Sequence, residues 1–278
     1  MNNSIGVLIH YKKDTDLCLE FQKAKELNLS SCQLCVWDAD IYKDEKYAEA
    51  LKDAISQTDF KVTALWGGWG GPMEWNFTYG PSTIGLVPKA YRDQRVRELI
   101  LASDLAEKAG IDRVITHVGF IPEDPADPDF NGTVAALRYI VRYMKKKGQY
   151  FLFETGQETP VTMLRTIEAI GLDNIGINFD TANLILYGKA NPSDALDIFG
   201  KYVMETHIKD GLYPTDGTNL GKETKAGEGR ADFPQLLRKL NAFGYSGSLT
   251  IEREISGEEQ INDIVSARDM LLDLMSKI

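Results

Sequence analysis

Along this chain, short apolar runs rich in β-branched and aromatic residues alternate with longer stretches whose apolar positions recur at helical spacing. The runs IGVLI (5–9), CQLCVW (32–37), KVTALW (61–66), RVITHV (113–118), YFLFE (150–154), IGINFD (175–180), YVMETHI (202–208) and SLTIE (248–252) read as eight strands. Between and after them, helices are expected to begin near Asp16, Asp44, Pro88, Gly132, Pro160, Pro192, Asp232 and Gly257. Thr159 before Pro160 and Asn191 before Pro192 supply a capping oxygen followed by a proline that suits the first helical position. Gly110, Gly148, Gly171 and Gly244 stand where helices must stop before the next strand.

Unbroken βα alternation suits a doubly wound sheet or a closed barrel. No G-x-G-x-x-G turn follows the first strand to favour dinucleotide binding, and the count of eight predicts a single (β/α)8 TIM barrel. The length of 278 residues, 43% of them hydrophobic, suits one such domain spanning 1–278. Two connections are long, residues 67–87 after the third strand and 209–231 after the seventh. Both follow carboxyl ends of strands, where barrel sites are built.

Charge narrows the partners. Lys and Arg number 31 against 41 Asp and Glu, a formal net charge of −10, which is the wrong sign for a protein that gains affinity by replacing phosphate counterions. No apolar stretch reaches membrane-spanning length, and MNNSIGVLIHYKKD lacks a basic region followed by an apolar run, so a cytoplasmic protein is expected. Cys18, Cys32 and Cys35 are too few for a disulfide framework. In a strand, Cys32 and Cys35 point to opposite faces, so they are expected in the core and not as a redox pair.

Chemistry gathers at four strand ends. Glu154, Asp180, His207 and Glu252 lie at or next to the carboxyl ends of the fifth to eighth strands, and alternation turns all four inward. Three carboxylates crowded in a half-dry pocket repel one another, and a divalent cation removes that cost. Three oxygen donors and one imidazole suit manganese first, then cobalt, magnesium or zinc, held as one ion.

Phe153-Glu154-Thr155, Asn178-Phe179-Asp180-Thr181-Ala182-Asn183, His207-Ile208-Lys209-Asp210, Gly227-Glu228-Gly229 with Asp232-Phe233, and Gly244-Tyr245 leading to Ile251-Glu252 resemble the xylose isomerase-like barrels. The similarity is strongest to their sugar and sugar-phosphate isomerases and epimerases. That resemblance implies Glu154, Asp180, His207 and Glu252 as metal ligands and a small carbohydrate as substrate. It also implies Glu154 and Glu252 as the acid–base pair that interconverts a keto sugar or sugar phosphate through an enediolate. The same proton abstraction also serves lyases and dehydratases acting on an inosose or a 3-keto sugar. Homo-oligomers are common among such barrels.

Around the ligands, His117 and Lys209 share the inward phase, while His10, Trp37, Trp66 and Asn183 stand at the mouth. These six are the expected substrate-binding residues. Trp69 and Trp75 lie in the Gly-rich loop after the third strand, Arg253 is expected to point away from the pocket, and Gly227-Glu228-Gly229 reads as a mobile turn. Ketose epimerases of this type commonly carry a histidine where this chain has Asn183, and a further glutamate where it has Pro160, although Glu158 is near. The abasic-site endonucleases that share the fold need more histidines than His10, His117 and His207 provide.

Overall fold

The computed structural model describes residues 1–278. Eight parallel strands close into a barrel: β1 (Ile5–His10), β2 (Ser31–Val36), β3 (Lys61–Gly67), β4 (Arg113–Thr116), β5 (Tyr150–Glu154), β6 (Ile175–Asp180), β7 (Val203–Ile208) and β10 (Leu249–Ile251). The barrel order follows the chain, with β10 closing between β7 and β1. A small antiparallel hairpin, β8 (Asp210–Leu212) with β9 (Lys222–Thr224), occupies the long connection after β7.

Period-two alternation separates two cores. Phe151, Phe153, Leu249 and Ile251 belong to the large apolar shell between barrel and helices, whereas Cys35, Ala64, Trp66, Ile115 and Leu152 fill the barrel interior. Cys32 lies in the outer shell and Cys35 in the inner one, on opposite faces of β2, and burial pushes both thiols well above their usual range.

Helix starts follow their caps: Asp16, Asp44, Thr159, Asn191 and Asp232 each accept a backbone amide of the first turn. One start differs from expectation. The helix before β5 begins at Pro128, capped by Asp127, and Gly132 lies inside it because the Arg92 guanidinium crosses there, where an added Cβ would come within 2.2 Å of it. No helix is long and apolar enough to cross a membrane.

Two register shifts interrupt the barrel. Between Cys32 and Gln33 the pairing to β3 skips Thr63, and between Ile177 and Asn178 the pairing to β7 skips Met204. Such bulges re-aim neighbouring side chains. Here they bring Gln33, Thr63, Asn178 and Glu205 together beneath the barrel mouth.

Candidate metal centre and its mouth

Glu154 and Asp180 end β5 and β6, His207 is the penultimate residue of β7, and Glu252 directly follows β10, its amide donating to Ile208 O at 3.2 Å. One ligand atom from each lies within 4.8 Å of the other three. The first three are buried, and only Glu252, with 13% of its side chain exposed, opens toward solvent.

His207 Nδ1 sits 3.0 Å from Glu154 Oε1, 3.1 Å from Glu252 Oε2 and 3.9 Å from Asp180 Oδ2. Nδ1 and Asp180 Oδ2 are nevertheless buried without a hydrogen bond of good geometry. The other Asp180 oxygen accepts the amides of Ala182 and Asn183 at 2.7 and 2.8 Å, which leaves Oδ2 for the shared centre. Burial alone would lower the His207 pKa, yet the Glu154 and Glu252 carboxylates hold it well above its ordinary value. Burial raises Asp180 well above the carboxylate range, opposed by Lys209. Glu252 is held well below that range by Lys209 and His207, against its own burial. Two orphaned buried donor atoms inside three oxygens and one nitrogen fit a divalent cation.

A second polar layer fixes these ligands. Gln33 Oε1 accepts from His207 Nε2 at 2.7 Å, which fixes a proton on Nε2 and leaves Nδ1 as the ring atom that faces the carboxylates and would ligate a cation in place of its proton. The Gln33 amide donates to Asn178 Oδ1 at 3.0 Å and toward Glu205 Oε2 at 3.4 Å, while Asn178 donates to Glu154 Oε2. Glu205 is itself paired with Arg113, whose side chain reaches in from the start of β4. One amide pair therefore ties two of the four ligands together.

The cavity above the centre has a volume of about 730 Å³. All six expected substrate-binding residues line it: His10, Trp37, Trp66, His117, Asn183 and Lys209. Trp37 packs on Trp66 and Trp75 at centroid distances of 4.8 and 6.1 Å, and His117 lies 5.5 and 5.4 Å from Trp66 and Trp75. Burial lowers the His117 pKa, so the ring is neutral, and its buried Nδ1 has no partner. Lys209 pairs with Glu252 at 3.4 Å and Glu254 at 2.6 Å, and with neither Glu205 nor Asp210.

Trp69 and the Gly227-Glu228-Gly229 turn depart from the sequence reading. Trp69 is fully buried, sandwiched between Thr116, which accepts its Nε1–H at 3.1 Å, and the Arg95 guanidinium 4.0 Å from its ring. Arg95, also fully buried, donates to the carbonyls of Gly70, Pro72 and Gly85 and so staples the loop after β3. The Gly227-Glu228-Gly229 turn is tied down by Asp210, which accepts the amides of Gly227 and Gly229 at 3.0 and 2.8 Å. Arg253 stands at the rim with its guanidinium turned to Glu223 and Asp263. Glu158 is buried without a side-chain partner, and burial pushes its pKa up to about 8.

Gln33, Asn178, Glu205 and Glu254 were not anticipated. Alternation carries the signal for three of them: Asn178, Glu205 and Glu254 each lie two residues from a ligand and share its phase. Gln33 is the polar residue in the otherwise apolar core of SCQLCV.

A closed parallel barrel with a metal-type tetrad at its carboxyl end defines the class of molecule. The sequence profile of the xylose isomerase-like TIM barrel family matches residues 21–274, and the chain belongs to that family. The crystal structure of a xylose isomerase domain protein from Planctomyces limnophilus superposes with a TM-score of 0.91 at 34% identity, covering 99% of this chain and 98% of that one. A D-tagatose 3-epimerase-like protein shares the fold at TM-score 0.74 and 19% identity, over 98% of this chain and 97% of its own. An uncharacterized protein of Methanocaldococcus jannaschii is 26% identical over 204 residues, which is 67% of this chain and 66%, just under two thirds, of that protein.

Proposed function

We propose that the chain is a divalent-metal-dependent isomerase or epimerase of a keto sugar or its phosphate. One observation carries the proposal: Glu154 and Glu252 reach the same ion position from the two ends of the arc β5–β6–β7–β10, with Asp180 and His207 between them. A divalent ion held there supplies Lewis acidity at a carbonyl and its neighbouring hydroxyl, and acidifies the carbon between them. The chain's own groups do the rest.

Glu252, kept ionised by Lys209, is suited to take the carbon-bound proton, and Glu154 to serve the opposite face. Return of the proton to the other face epimerises, and return to the adjacent carbon isomerises. Neutral His117 offers a hydrogen bond to a substrate hydroxyl, and the Trp37–Trp66 wall gives an apolar surface for the C–H face of a sugar ring.

The test is incubation of the metal-loaded protein with a panel of ketoses, phosphoketoses and keto-glycosides in deuterated water. Deuterium bound to carbon, with a new epimer or isomer, is the expected result. No incorporation and no product across the panel would sink the proposal, and loss of water from the substrate would move the reading to a dehydratase.

A further inference from the structure

A substrate phosphate would need free positive groups at the mouth, and those present are already engaged. In (β/α)8 barrels phosphate is frequently bound by the loops after the seventh and eighth strands, through backbone amides that converge on an anion. This chain builds such a convergence in the loop after β7 and fills it with its own carboxylate. Asp210 Oδ2 accepts Gly227 and Gly229, and Oδ1 accepts Gly211 and Ala231 at 2.8 and 2.9 Å. A Cβ at Gly229 would fall 2.1 Å from Asp210 Oδ1, so the glycine is what allows the backbone so close. Asp210 is 1% exposed, and nothing of this anion site is left for a ligand.

Side-chain cations are equally committed. Those lining the cavity are Lys209 and Arg253. Lys209 is held by Glu254 at 2.6 Å and Glu252 at 3.4 Å, and Arg253 by Glu223 at 3.0 Å and Asp263 at 2.9 Å. Arg253 is neutralised by Glu223 and Asp263, so Lys209 and a divalent ion alone would face the four carboxylates of Glu154, Asp180, Glu252 and Glu254, which leaves no positive surplus. A phosphate dianion would enter beside Glu254 with no free donor of opposite charge, a desolvation cost without compensation. The remaining wall, Trp37, Trp66 and Trp75 with neutral His117, recognises an uncharged molecule.

We infer that the substrate is an uncharged polyhydroxylated ketone and that phosphorylated sugars are excluded. This rests on the isomerase or epimerase reading and narrows it. The manganese-loaded protein is titrated, with tryptophan fluorescence as readout, with neutral ketopentoses and ketohexoses, with their phosphate esters, and with inorganic phosphate. At least one neutral ketose is expected to quench saturably, its ester at least about tenfold more weakly, and inorganic phosphate not at all. Glu254→Gln, which releases Lys209, is expected to narrow the difference in affinity between the neutral ketose and its ester by about tenfold.

An ester that binds the unaltered protein as tightly as its neutral ketose, or binding by no neutral ketose, overturns the inference. Deuterium exchange separates it from the broader reading. Exchange into an ester but into no neutral ketose overturns the inference and sustains the isomerase or epimerase reading. Exchange into neither, with a neutral ketose still bound more tightly, overturns that reading and sustains the inference.

Discussion

The mouth of this barrel has two unlike halves. The arc β5, β6, β7 and β10 carries the metal-type tetrad on strand ends, locked by a buried amide layer, whereas the β2–β4 side presents Trp37, Trp66 and His117 and is completed by Trp75 from a long loop. The first half is built of groups whose position must be fixed to fractions of an ångström, so it stands on regular backbone. The second is built of broad surfaces that tolerate small shifts, so part of it stands on a loop. Under the proposed function, bond-making falls to one half and choice of partner to the other.

The largest expected effect tests that division directly. Glu252→Gln keeps the shape of the side chain and removes its capacity to hold a proton. Turnover should fall by about 10²- to 10⁴-fold while tryptophan quenching by the substrate persists, measured by deuterium exchange and fluorescence on the same sample. Loss of binding in parallel with turnover would mean that the two halves are not separable.

An intermediate effect probes the amide layer. Gln33→Leu removes the acceptor of the His207 Nε2–H and should weaken metal affinity by about 10- to 100-fold, read by competition with a chromophoric chelator. The melting temperature without metal controls for a merely structural change. Unchanged affinity would show that Gln33 does not orient the ligand.

The smallest effect belongs to the aromatic half. Trp37→Ala should raise KM by about tenfold with little change in kcat or metal affinity, because the stacking surface contributes about 1 to 1.5 kcal/mol. A kcat loss as large as that of Glu252→Gln would mean that the aromatic half also takes part in bond-making.

The same contrast explains what the sequence revealed. Period-two alternation and strand-end position point to Glu154, Asp180, His207 and Glu252, because a strand imposes phase on every residue it holds. The eight strands are legible for the same reason, whereas the helix expected near Gly132 begins at Pro128, where Asp127 and the proline carry the usual capping signal. The loops hid more. Nothing near Trp69 shows that Arg95 will bury it, and nothing near Asp210 shows that amides 17 to 21 residues downstream will close on it. The bulges at Thr63 and Met204 are also invisible to a strict period of two, and they assemble the amide layer.

The two halves also meet at the rim. Phe77 N donates to Thr218 O at 2.9 Å, and Asn76 bridges Asn219, so the loop after β3 and the loop after β7 are stitched edge to edge. Trp75 and Leu220, on either side of that seam, both line the cavity. For anyone transplanting specificity between relatives, the two loops are a single cassette: exchanging one alone strands the backbone edge of the other. Insertions on either side of the seam would have to be matched across it to keep that edge paired.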